Sequence, residues 1–201
     1  MNERTYRRRD KGFTLIEIIV VIACIALLAG ILAPMVFKNI QDARIARAKS
    51  DVKSLATAVA QFYADVGEWP ARGDDGTPNS IYVLYSTDDG ATQVIPPGAY
   101  MPDNEDQADA LYDHLIENNQ SYPDWDGRIG WNGTYAEADS LDPWGNSYLI
   151  YVLGFWYPTV DPTTDFTKVW LLSAGPDGIM QTYADEENIS VNSDDIGIRI
   201  K

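Results

Sequence analysis

The sequence predicts an α+β protein in which one long N-terminal helix, apolar in its first half and amphipathic in its second, packs on a small antiparallel β-sheet. Three observations predict it. Residues 13–37 form an apolar run with a single charge, Glu17. Beyond them Ile45, Ala48, Val52, Leu55, Val59, Phe62 and Val66 recur at spacings of three and four, the period of a helix that buries one face. Residues 147–156 and 168–173 are rich in aromatic and branched side chains, and the turn-forming Pro158, Asp161 and Pro162 lie between them.

The apolar run is long enough to cross a hydrocarbon core of about 30 Å as a helix. Arg4, Arg7, Arg8, Arg9 and Lys11 stand immediately before it against Glu3 and Asp10, a net of +3. That bias keeps the N-terminus cytoplasmic and sends the rest of the chain across the membrane. A secretory signal peptide shares the basic start and apolar stretch. It differs in being shorter, about 7–15 residues, in lacking an early carboxylate, and in not running on into a further helical pattern.

Glu17 is the informative residue, because an ionisable group inside a membrane segment is costly and calls for a partner. Cleavage after Gly12 would create a cation, the new α-amino group of Phe13, with Glu17 as fifth residue of the shortened chain. Within a single helix the carboxylate is close to its own terminus, and side-by-side packing of subunits would let Glu17 reach a neighbour's amine equally well. Gly30 and Pro34 weaken the helix, one by low propensity and the other by removing a backbone donor, so residues 29–35 are where it should kink or unwind when subunits pack. The amphipathic continuation, residues 38–66, should end before Gly67 and Pro70, giving a helix of about 80 Å at 1.5 Å per residue.

The 201 residues, 45% hydrophobic, allow one globular domain, residues 67–201, beside that helix. The net charge of -15, which becomes -18 without the first twelve residues, argues against nucleic acid as a partner and suits cations. Cys24 is the single cysteine, lies in the apolar run, and reads as a packing residue; no intrachain disulfide can close the outer domain. Residues 71–139 read as loops apart from a short helix over 105–118, with Ala108, Leu111, Leu115 and Ile116 at helical spacing. His114 on that helix reads as a solvated surface group. The sheet should cover the apolar face of the amphipathic helix half.

Gly12-Phe13-Thr14-Leu15-Ile16-Glu17 resembles the processing and methylation signature of type IV pilins and type II secretion pseudopilins, and Pro34 matches a proline of that family. The resemblance implies a basic leader over residues 1–12, cut after Gly12 by a prepilin peptidase that methylates Phe13, with Glu17 setting the register between subunits. Two more stretches, Trp131-Asn132-Gly133-Thr134-Tyr135 and Leu141-Asp142-Pro143-Trp144-Gly145-Asn146-Ser147-Tyr148, resemble the major pseudopilin of type II secretion systems, as does Asp65-Val66-Gly67-Glu68-Trp69-Pro70. Asp-Pro-Trp-Gly has the chemistry of a tight turn with an aromatic plug and is assigned to folding. Residues 71–130 are longer than in that family, and Thr134 stands where a proline is common.

Ser173-Ala174-Gly175-Pro176-Asp177-Gly178 and the later Asp194-Asp195-Ile196 are the place where carboxylates could assemble around a hard cation, which takes six to eight oxygens at about 2.3–2.6 Å. The spacing is not that of an EF-hand. A solvated acidic cluster is the plain alternative. The resemblance implies calcium, with side chains from Asp177, Asp194 and Asp195 and, as weaker ligands, the carbonyls of Ala174 and Ile179; Asp185, Glu186 or Glu187 are substitutes in a loop longer than the family's.

The function so implied is that of a structural subunit of a type II secretion pseudopilus. It would root in the bacterial inner membrane by a single pass, then polymerise with identical subunits and minor pseudopilins on an inner-membrane assembly platform into a periplasmic fibre that assists protein export. The alternative is a type IV pilus subunit for adhesion, motility or DNA uptake. An enzyme, such as a hydrolase using Asp194 and Asp195, has little behind it: the chain has one histidine and offers no nucleophile motif, Gly-rich phosphate loop or His/Cys metal cluster.

Overall fold

The computed structural model describes residues 12–87, 93–136, 140–152, 169–182, 191 and 193–200. The expected helix is present as α1, Leu15–Val66, with Pro34 inside it. Two compact units divide it, one ending at Asp42 and the other beginning at Ala43.

Among the described residues nothing covers α1 in the first unit. Seventeen large apolar side chains between Phe13 and Ile40 are exposed, each by 45% or more. Leaving such groups in water costs about 1.5–3 kcal/mol apiece, on the order of 30 kcal/mol together. A domain's whole stability is only about 5–15 kcal/mol, so this surface must be covered by lipid or by other chains. The helix is long and apolar enough to cross a membrane.

In the second unit, α1 buries Ala48, Val52, Ala58, Val59, Phe62 and Val66. This is the face read from the three–four spacing. Phe62 is fully buried and meets Tyr122 and Tyr135 edge-on, with ring centroids 4.8 and 5.3 Å away. Ile150, Val152 and Leu171 of the sheet region complete the same core.

The sheet has five strands: β1 Val83–Tyr85, β2 Ala108–Ala110, β3 Leu149–Tyr151, β4 Trp170–Ser173 and β5 Ile196–Arg199. Their order is β2-β1-β3-β4-β5. Strands β3 and β4 confirm the two expected β-rich stretches in shorter form; residues 153–156 and 168 lie outside the described ones. The sheet is mixed and not wholly antiparallel, since β1 pairs with β2 in parallel, Leu84 opposite Asp109. All other pairings are antiparallel.

The middle of the chain departs from its reading as loop and short helix. β1 lies there, inside the sheet. Instead of a helix over 105–118 the chain makes a 3-10 turn at Glu105–Gln107, then β2, then a helix α2 of only five residues, Leu111–Leu115. Pairing decides this: the Tyr82 amide donates to the Gln107 carbonyl at 2.7 Å, and β1 captures Ala108–Ala110 before they can coil.

His114 is not a solvated group. It is wholly buried, its Nε2 3.0 Å from Asp109 Oδ2 and its Nδ1 2.6 Å from the Tyr122 hydroxyl. A carboxylate only accepts, so Nε2 donates to Asp109, while Nδ1 is paired with the Tyr122 hydroxyl. Gln120 Nε2 donates to the same Asp109 oxygen at 2.6 Å. Both ring nitrogens are thereby satisfied, which is the condition for burying a histidine.

Candidate functional site

The N-terminal end of α1 is built by its first turn. Thr14 precedes the helix. Its amide donates to Glu17 Oε2 at 2.7 Å, its hydroxyl donates to the same oxygen at 2.6 Å, and the Glu17 amide donates back to Thr14 Oγ1 at 3.3 Å. This reciprocal pairing is a capping box, and it satisfies amides that have no partner within the helix. Its Thr-x-x-Glu signature stands in the sequence at the start of the apolar run, a local signal beside the charge of Glu17. In the uncleaved chain Glu17 thus has a local role. Gly12 and Phe13 lie just outside the helix, with Phe13 85% exposed. Among the described residues nothing lies within 4 Å of where a Cβ at Gly12 would stand.

Gly30 and Pro34 both lie within α1, whose helical assignment is continuous through residues 29–35 in the isolated chain. Cys24 is unpaired and exposed in the same apolar half.

The second place singled out by the sequence is the C-terminal loop. Gly175 has φ of 67°, and a Cβ there would stand 2.1 Å from the Asp194 carbonyl oxygen, so the chain crosses itself at a point open only to glycine. Asp194 Oδ2 accepts the Asp177 amide at 3.1 Å, which brings these two predicted residues together. Asp177 in turn accepts the Ile179 amide at 2.8 Å and Gln181 Nε2 at 2.6 Å. Asp195 faces elsewhere: its Oδ2 accepts the amides of Gln181 and Thr182 at 2.9 and 2.6 Å. Its Oδ1 is buried without a hydrogen-bond partner. Burial pushes the Asp195 carboxyl above its usual range. Ala174 is buried and Ile179 is 47% exposed. Among the described residues no group of three or more His, Cys, Asp or Glu side chains is gathered to hold a metal. Asp185, Glu186 and Glu187 lie outside the described residues. The loop supplies carboxylate oxygens from Asp177, Asp194 and Asp195, of which Asp195 Oδ1 has no hydrogen-bond partner.

A capped helix start, a glycine and phenylalanine just before it, and a bare apolar half-helix after it are one continuous feature, and residues 7–33 of it match a known family model. The chain carries a prokaryotic N-terminal methylation motif. The motif covers the Gly12–Phe13 junction, Thr14, Glu17 and Gly30, while Pro34 falls one residue beyond it.

Similarity extends well past the methylation motif. The type II secretion system core protein G of Pseudomonas aeruginosa is 28% identical over 145 residues, 71% of this chain and 73% of that one. The core protein G of Escherichia coli is 28% identical over 180 residues, 90% of this chain and 91% of that one. The fimbrial protein EcpC of Eikenella corrodens is more alike locally, 38% over 78 residues, but the match takes in only 37% of this chain and 51% of that one. No solved structure matches the chain. The resemblance read from Gly12–Glu17 and from the Trp131 and Asp142 stretches is therefore matched over most of the chain by core protein G.

Proposed function

We propose that this chain is the structural subunit of a type II secretion pseudopilus and has no catalytic role. The observation that carries the reading is the wholly exposed apolar half of α1, begun by a methylation motif, on a chain whose similarity to core protein G runs through its globular domain. A prepilin peptidase cuts between Gly12 and Phe13 and methylates the new terminus. Before assembly the apolar half lies in the inner membrane with the leader in the cytoplasm and the domain in the periplasm. An assembly platform then draws subunits into a fibre, with minor pseudopilins as further partners. In the fibre Glu17 gives up its Thr14 contacts for the amine of Phe13 on a neighbour, and residues 29–35 kink.

Expression of the full chain with a prepilin peptidase tests this. Mass spectrometry should find N-methylated Phe13 at the mature terminus, and electron microscopy should find filaments. Loss of the gene should stop export of folded proteins while leaving motility and adhesion intact. Export that continues while surface fibres vanish would overturn the reading in favour of a type IV pilus.

The C-terminal loop is read as a calcium site held by Asp177, Asp194 and Asp195, with the Ala174 and Ile179 carbonyls beside them. Bound there, the ion would close a loop that has no disulfide to close it. A ligand held only by the folded state adds about 2.7 kcal/mol at a hundredfold excess over Kd. The soluble part beginning at Ile40 should therefore melt roughly 5–10 °C higher in calcium than in chelator, and Asp194→Ala should erase the difference. Equal melting temperatures in calcium and chelator would remove calcium from the account.

A further inference from the structure

The sheet order puts β2 at one edge and β5 at the other, and the two edges carry opposite charge. Residues 103–117, which contain β2 and α2, hold six carboxylates, Asp103, Glu105, Asp106, Asp109, Asp113 and Glu117, and no Lys or Arg. Asp109 is turned to His114, while Asp103, Asp106 and Glu117 are exposed. Among the described residues none of these three makes an ion pair.

The opposite edge is cationic. After residue 12 the chain has ten Lys and Arg residues, and four of them, Arg44, Arg47, Lys49 and Lys53, fall within ten positions of α1. Lys49 and Lys53 flank a groove of 290 Å³ between α1 and β5, whose floor includes Ile196, Gly197 and Ile198 and whose other charged wall residue is Asp195. Arg44, Lys49 and Lys53 are exposed and make no ion pair among the described residues, whereas Arg47 is paired with Asp51 at 3.5 Å. Arg199 adds a further cation to β5.

We propose that the groove at the β5 edge receives the acidic β2–α2 edge of a second copy of this chain. The contact joins unlike surfaces, so each copy keeps a free edge of each kind and the array grows head to tail, as a filament requires. It deepens the proposed function and rests on it. Charge complementarity selects the partner: the chain beyond residue 12 carries twenty-eight acidic residues against ten basic ones, so another copy is a polyanion presented at the density of the assembly itself. It also fixes register, since like edges repel.

The test uses the full, processed chain. Reversing one edge with Lys49→Glu and Lys53→Glu should cut filament yield about tenfold or more. Reversing the other with Asp106→Lys and Glu117→Lys should do the same, and a mixture of the two reversed chains should regain most of the yield. For chains that fail to fold on reversal, Lys53→Cys with Glu117→Cys in a Cys24→Ala background gives a second readout: a bis-maleimide should link parent-like filaments into a ladder of multimers. Filaments that form normally but neither respond to reversal nor cross-link would overturn the inference and leave the filament reading intact. Unchanged filaments together with lost binding to phosphatidylglycerol vesicles by the lysine variant would overturn it in favour of a membrane surface. A parent chain that makes no filaments would overturn the filament reading itself, and this inference with it.

Discussion

Glu17→Leu should leave the precursor processed and membrane-bound but lower filament yield by about 10²–10³-fold. Within a packed apolar bundle, the amine of Phe13 would then lack its counter-charge, and an unpaired buried charge costs about 3–5 kcal/mol. The capping box complicates the leucine result, because the substitution also removes a side chain that binds the Thr14 amide and hydroxyl. Glu17→Gln separates the two roles. Glutamine serves in the third position of a capping box, so helix start and processing should be kept, while the charge is gone. Both variants should fail to polymerise, as read by shearing and electron microscopy, with the mature terminus confirmed by mass spectrometry. If the glutamine chain assembles at the parent level, the residue acts through the cap alone and the charge-registration role is lost.

The same residue shows what the sequence disclosed and what it withheld. The apolar run and the periodicity after it together located α1 to within two residues of its ends, because a helix with one buried face writes its contacts into spacings of three and four. The strands β3 and β4 were legible for a similar reason: they are runs of branched and aromatic side chains, and every residue of both is buried. Three other elements owe their form to distant partners. Ala108-Asp109-Ala110 has poor strand propensity and is a strand because β1 lies beside it. β5 contains Gly197, a residue that weakens strands, yet a Cβ there would come within 2.4 Å of Leu172 Cδ2 and 2.8 Å of the Leu171 carbonyl oxygen. His114 is buried because Asp109, five residues before, and Tyr122, eight after, are folded onto its two nitrogens. None of these pairings is visible in local composition. In the C-terminal loop, the sequence pointed to Asp177, Asp194 and Asp195, and the fold joins the first two through an amide while turning the third toward Gln181 and Thr182.

Asp142 is where a turn motif becomes a structural requirement, and Asp142→Ala should destabilise the domain by about 4 kcal/mol. The carboxylate is only 4% exposed. Its Oδ1 accepts the amides of Trp144 and Asn146 at 3.0 and 2.9 Å, and its Oδ2 accepts the Ser173 hydroxyl at 2.7 Å. One side chain therefore closes the turn before β3 and ties it to the end of β4, where Ser173 in turn accepts the Gly175 amide at 3.2 Å. Alanine strands three donors, two of them backbone amides, at roughly 1–3 kcal/mol each where no water replaces the acceptor. Asp142→Asn should cost less, about 1–2 kcal/mol, since its amide oxygen can keep both backbone donors and only the bond to Ser173 must be rearranged. Urea unfolding of the soluble part from Ile40 would rank the three proteins, and the thermal midpoint of the alanine variant should fall by about 10 °C. The physical claim is that a shared acceptor, and not the hydrophobic contact of Trp144, holds the turn. An alanine variant as stable as the asparagine one would show that the turn is set by its proline and glycine alone.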